Sequence, residues 1–191
     1  SGQARLRSDP QQTLLSAGAS DFTRLGVAPD SVARFTAIVD GLGVPHASVP
    51  NGATRASDNF SGMLRLDVVM SNAHSLSLRG AWRGTSQDPS RLGPLALPQT
   101  GGTMTSSGGG LMATISSHFG AAVLNEFRGY WQSSQNDGTA FTAVPQGRVQ
   151  VASLLPDGTT GVTTLAFGGN TGFPSRSRGS SFEGSDELSL L

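Results

Sequence analysis

DNFSGMLRLDVVMSNAHSLSLRGAWRG, residues 58–84, is the stretch that decides the fold. In its first half Phe60, Leu64, Leu66, Val68 and Met70 fall on alternate positions, with Ser61, Arg65 and Asp67 between them. In its second half Leu76, Leu78 and Trp82 alternate with Ser75, Ser77, Arg79 and Arg83. A period of two is the signature of a β-strand with unlike faces. Two such runs in sequence predict an antiparallel hairpin over residues 60–85, apolar on one face and polar to charged on the other. Like charges directly opposite one another destabilise a strand pair. The expected register therefore sets Asp67 opposite Arg79 and Leu64 opposite Trp82, not Arg65 opposite Arg79, with Ser71–Ser75 as a five-residue connection.

The alternation returns downstream. Leu111, Ala113 and Ile115 oppose Thr114, Ser116 and His118; after a tight Phe119-Gly120-Ala121 connection, Val123, Phe127 and Trp131 oppose Glu126, Arg128 and Gln132. Residues 86–109 are rich in Gly, Ser, Thr and Pro and read as a long loop, as do residues 133–146, so connections alternate short, long, short. Val149 and Val151 predict a strand, Pro156-Asp157-Gly158 a turn, and Leu165 and Phe167 a strand ending at Gly168-Gly169-Asn170. The final EGSDELSLL begins another alternation. No repeat of fixed period is present.

Upstream of the hairpin, residues 1–20 are polar without sustained period and are expected to be irregular. Ala28-Pro29-Asp30-Ser31 then places Pro in a helical first turn, and Val32, Phe35, Ile38, Val39 and Leu42 recur at helical spacing until Gly41, Gly43 and Pro45. This predicts one amphipathic helix at about 29–41, with a single apolar stripe for packing onto something larger. Pro45, Pro50, Asn51-Gly52 and Asp58 mark a loop. The expected division is an irregular segment with one helix at 1–59 and a β-sheet unit at 60–191.

Composition narrows the function classes. Charged residues are only 14% of the 191, and hydrophobic residues are also low at 36%. Gly, Ser and Thr make up the difference, a mixture that suits β-structure with long loops. Every basic residue is Arg, which excludes a phosphate-binding P-loop lysine, a Schiff-base lysine and a Ser-Lys dyad. The net charge is zero and the Arg residues are dispersed, so nucleic acid is not an expected partner. There is no Cys, hence no disulfide framework and no thiolate metal site. No apolar run reaches the ~18 residues of a membrane helix. Residues 1–20 hold no signal-peptide core, so an exported protein would not be expected to start at Ser1.

Two architectures put period-two strands around one apolar face: a soluble sandwich facing its own core, and a membrane barrel facing lipid. The apparent strands at 60–71, 75–85 and 121–132 exceed the ~5 to 6 residues usual in soluble proteins and approach the ~9 to 11 that cross a bilayer with tilt. Trp82 and Trp131 stand near the loop ends of their strands on the apolar side, where an interfacial girdle belongs. Facing lipid at mid-membrane, Arg65 would cost about 2 to 4 kcal/mol. That fixes the facing: Arg65, Asp67, Arg79, Glu126 and Arg128 towards a lumen, and Leu64, Leu66, Val68, Leu76, Leu78, Trp82, Phe127 and Trp131 towards lipid. The expected fold class is all-β, an open part of an antiparallel transmembrane β-barrel with a short N-terminal helix. The alternative is a secreted or surface β-sandwich or adhesin-like binding module, in which the same apolar residues would be buried.

The runs at 58–84, 111–131 (LMATISSHFGAAVLNEFRGYW), 145–151 (PQGRVQV), 165–170 (LAFGGN) and 183–191 (EGSDELSLL) together resemble successive barrel strands of TonB-dependent outer-membrane receptors. The likeness is to those carrying an N-terminal carboxypeptidase-regulatory-like domain. The resemblance spans residues 58–191, and 21–50 loosely, and rests on the order of strands. It implies a 22-stranded barrel, a plug domain and an inner-membrane energy-coupling complex as partners, outer-membrane lipid around the wall, and import of a nutrient too large for porins. No plug, coupling segment or C-terminal aromatic strand is found in this sequence, so the expectation is an internal piece of such a receptor, in which residues 1–59 form an extracellular loop.

No catalytic chemistry is legible, and neither an enzyme nor a cofactor is expected. His46, His74 and His118 lie 28 and 44 residues apart without a neighbouring ligand, too sparse for a metal site. Gly108, Gly110 and Ala113 match GxGxxA, but a loop before and a strand after are the wrong context for dinucleotide binding. There is no GxSxG elbow, and the sequon Asn59-Phe60-Ser61 opens a strand and is read as chance. The five charges on the polar face are the sole candidate constellation, readable also as ion pairs lining a wall.

Overall fold

In the computed structural model, residues 1–44 and 54–190 are described. Strands hold 62% of the described residues, against the ~20–25% usual for soluble domains. The elements in order are β1 (Gly2–Pro10), α1 (Ala19–Arg24), α2 (Pro29–Gly41), β2 (Thr54–Val69), β3 (His74–Ser90), a 3-10 turn (Pro98–Thr100), β4 (Gly102–Phe119), β5 (Val123–Ala140), β6 (Gln146–Leu154), β7 (Thr160–Gly168) and β8 (Ser175–Leu190). Six strands form one antiparallel sheet in the order β1-β2-β3-β4-β5-β8, and β6-β7 is a separate hairpin. The outer strands β1 and β8 do not pair with each other among the described residues, so the sheet is open.

The predicted hairpin exists, but in the rejected register. Arg65 lies directly opposite Arg79, Asp67 opposite Ser77, Leu64 opposite Gly80 and Gly62 opposite Trp82; residues 70–73 make the connection. Three observations account for the correction. Arg65 Nε donates to the Asp67 carboxylate at 2.8 Å along its own strand, so its charge is met before it faces Arg79. Bulk is set against glycine: Trp82 lies between Gly62 and Gly109, and Gly80 between Leu64 and Leu111. The expected register would have set Trp82 against Leu64 and Gly84 against Gly62. The turn also selects the shorter loop, because Ser71 Oγ accepts from the Ala73 and His74 amides at 3.2 Å each.

Other boundaries shift outward. The supposed loops at 86–109 and 133–146 are largely strand, since β3 runs to Ser90, β4 starts at Gly102 and β5 continues to Ala140. Residues 2–10, expected to be irregular, are β1, paired from Gly2↔Gly62 to Pro10↔Thr54. A helix not foreseen, α1, precedes the predicted one, and α2 matches its expected bounds.

One end of the sheet carries tight connections at 70–73 and 120–122, the latter turning on Gly120 at φ 69°. At the other end three long segments, 11–44, 91–101 and 141–174, supply the buried core of the described residues. Leu14, Val27, Val32, Phe35, Val39, Leu97 and Leu165 pack together there as a cap. Backbone bonds stitch it: Leu14 N to Ala96 O at 3.1 Å, Leu97 N to Ala166 O and Ala166 N to Leu95 O at 3.0 Å each. Beside it, Phe173 wedges between Gly102 and Gly138 on adjacent strands, where a Cβ on either glycine would collide with its ring.

Candidate functional site

Pairing across the sheet settles which side chains share a face. Leu64, Leu66, Val68, Leu76, Leu78, Trp82, Phe127 and Trp131 all lie on one face, joined by Phe60, Leu111, Ile115, Phe182, Leu188 and Leu190. None of the eight is buried: Leu64 is 74% exposed, Trp82 54% and Trp131 49%, while Leu76 and Leu78 are intermediate. Asn125 and Asp186 interrupt this face, Asp186 opposite Phe127 and midway between Phe182 and Leu190, and the Asn125 amide donates to Asp186 at 2.8 Å. Over Gly62, Gly80 and Gly109 the missing side chains leave an open groove of about 640 Å³ bordered by Leu64, Trp82, Leu111 and Trp131.

The opposite face gathers Arg65, Asp67, Arg79, Glu126 and Arg128, as the alternation demanded. One row across it reads Arg65, Arg79, Met112, Tyr130, Glu183; the next reads Asp67, Ser77, Thr114, Arg128, Ser185. Arg128 pairs with Glu126 along β5, and Ser116 Oγ donates to Glu126 at 3.4 Å. Arg7 pairs with Asp9 at 2.9 Å on β1. The face also holds Arg5, Arg83, Glu183 and Glu187, which the sequence-based candidate set omits. Arg5 went unseen because β1 did; its signal was the alternation Gln3, Arg5, Arg7, Asp9.

The remaining candidates separate. His74 sits on the apolar face with Nδ1 2.9 Å from Ser117 Oγ, whereas His118 is on the polar face, so the two do not converge; His46 lies outside the described residues. Gly108, Gly110 and Ala113 are in the middle of β4, not after a loop, and Asn59-Phe60-Ser61 is inside β2. Among the described residues no group of three metal-ligating side chains occurs.

The cap offers two further concavities. One of about 300 Å³ lies between α2 and the β6-β7 hairpin, lined by Phe35, Ile38, Leu42, Val149, Val151 and Phe167. Another of about 560 Å³ opens beneath Thr139, Val144, Gln146, Asn170 and Phe173. Two carboxylates in the cap are held below the usual range. Asp21 accepts from the Gly18 amide, then from Gln12 and Arg24; Asp157 accepts from the Thr159 hydroxyl and amide. Arg91, at φ 56°, donates to Gly172 O at 2.7 Å and lies 5.0 Å over the Phe173 ring, tying two long connections together.

No family model, no curated protein and no solved structure matches the chain.

Proposed function

We propose that this chain supplies wall and surface loops to an outer-membrane β-barrel receptor of the TonB-dependent type, one that binds and imports a nutrient too large for porins. The observation that carries this reading is a six-stranded sheet whose apolar face is covered by no other element among the described residues, although the cap beside it packs a buried core of its own. In a sandwich the same side chains would be that core. An apolar surface of this extent, although crossed by the hydrogen-bonded pair Asn125 and Asp186, is the mark of an interaction surface, and lipid fits its borders.

Those borders are graded. On the loop side the apolar band ends at Phe60, Trp82, Trp131 and Phe182, beyond which the same face turns to Asp58, Ser86, Gln135 and Arg178. From there to Met70 or Val123 the strands run about 27 to 34 Å at 3.4 Å per residue. At a tilt of ~45° this is about 19 to 24 Å of height, close to the ~25 Å apolar belt of outer-membrane barrels. Tight turns at one end and large loops at the other match periplasmic and extracellular sides. Arg65, Asp67, Arg79, Glu126 and Arg128 would then line the lumen, facing the plug domain of the whole receptor, on which the inner-membrane coupling complex would act from the periplasm. The cap would stand outside the cell among the extracellular loops.

The absence of Cys makes the test clean. Single cysteines replacing Leu66 or Phe127 should resist a membrane-impermeant maleimide in intact cells and react with a lipophilic one. Arg65→Cys should react with the soluble reagent once the outer membrane is permeabilised. Ready labelling of Leu66→Cys from water would overturn the membrane reading, and burial from both reagents would favour the sandwich.

A further inference from the structure

Among the described residues no ion pair and no hydrogen bond is formed by Arg5 on β1 or by Arg79 and Arg83 on β3, although Arg79 lies in the field of Asp67, which Arg65 already engages. Their neighbours on that face have settled partners, Arg7 with Asp9 and Arg65 with Asp67. Charge is also divided across the sheet. On β1 to β3 the polar face carries Arg5, Arg7, Arg55, Arg65, Arg79 and Arg83 against Asp9 and Asp67, six cations to two anions; on β5 and β8 it carries Arg128 against Glu126, Glu183 and Glu187. The chain's zero net charge hides this polarity.

The register gives the spacing. Arg83 lies opposite Ser61, and Arg5 opposite Asn59, so Arg5 and Arg83 are two strands and two residues apart. Strand separation of ~4.8 Å and a rise of ~3.4 Å put their backbones about 12 Å apart, and Arg83 to Arg79 about 14 Å along one strand. Around them the face offers hydroxyl and amide groups from Ser57, Asn59, Ser61, Thr85 and Ser106. We propose that this side of the sheet binds an extended polyanion, a chain of repeated carboxylate or phosphate groups, along the ladder Arg5, Arg83 and Arg79. A small anion would meet one guanidinium at a time at such intervals, whereas a chain engages all three. The ladder descends from the loop end towards the tight turns, the direction of entry if the polar face lines a lumen. The proposal deepens that reading and rests on it for the solute's path, though not for binding itself. Guanidinium groups pair well with either acid, and a low-dielectric wall behind them concentrates the field.

The test uses the full chain in detergent micelles, with fluorescent oligogalacturonate and inorganic polyphosphate as probes and a neutral maltooligosaccharide of equal length as comparison. At low ionic strength at least one polyanion should bind and the neutral chain should not. Binding should weaken about tenfold or more in the combined R5Q/R79Q/R83Q variant, and fade at about 0.5 M salt, where the screening length falls to a few ångströms. The cap variant R34Q/R148Q, which removes two cations elsewhere, should bind as the parent does. The proposal is overturned if neither chain binds, if the ladder variant retains native far-UV circular dichroism and full affinity, if the cap variant weakens binding equally, or if citrate competes as well per charge as the polymer. Cysteine labelling stands apart from these outcomes: polyanion binding together with water-labelled Leu66→Cys would keep the ladder and remove the membrane, and the reverse pattern would do the opposite.

Discussion

The pair Arg65 and Asp67 shows how a single side chain redirects a larger choice. Placed two residues apart on one strand, they share a face and meet at 2.8 Å, so the facing of Arg65 and Arg79 loses most of its penalty. Exposed pairs of this kind contribute about 0 to 1 kcal/mol. A cross-strand like-charge term of about 0.2 to 1 kcal/mol was therefore never decisive. In the cap, Asp21 is the residue whose chemistry is most readable. The Gly18 amide, Gln12 and Arg24 favour its carboxylate, so its folded value lies below the ordinary 3.8. A depressed carboxyl stabilises above its unfolded value, and this contribution is lost as pH falls through the folded value. Amide protection at residues 18–25, corrected for intrinsic exchange, should accordingly fall below about pH 4, and Asp21→Asn should remove that fall when exchange is followed by NMR.

At the scale of elements, glycine placement matters as much as apolar alternation. Gly62, Gly80 and Gly109 receive Trp82, Leu64 and Leu111 between them, and Gly102 and Gly138 receive Phe173. The second pair ties the sheet to the cap, because Phe173 continues to Arg91 and the 91–101 connection. Replacing Gly138 with Val should expel the ring and destabilise the junction by about 1 to 3 kcal/mol, the usual cost of overpacking. Denaturant titration followed by β-sheet circular dichroism would measure it. The same glycines and serines concealed the strand ends from sequence reading: Ser86, Gln87, Ser106, Ser107, Ser133 and Ser134 are polar on both faces, so no period of two shows. Strand β1 was hidden for a related reason, having Leu6 alone as a large apolar side chain; pairing with β2 makes it a strand.

The molecule as a whole keeps its buried core in the cap and its apolar face outside the sheet. Its two outer strands, β1 and β8, have no strand partner on their outer edges among the described residues, and exposed edges beside apolar surface promote association. The 191-residue chain should aggregate in plain buffer and remain dispersed in detergent micelles, as light scattering would show. Dispersed monomers in plain buffer would contradict an uncovered apolar face of this extent.

What the sequence by itself determined is which large side chains of residues 60–83 and 111–132 share a face. A register error of two residues leaves the faces unchanged because the side-chain period is also two, so Leu64 with Trp82 and Arg65 with Arg79 were separable from alternation alone. It likewise determined α2, whose stripe and terminal Pro are local features. Register, strand length, the recruitment of β1 and the gathering of three connections into one cap were decided only in the tertiary structure. Each depends on what a partner segment offers, a glycine opposite a tryptophan or a backbone ladder opposite a polar run, and no single segment carries its partner's shape.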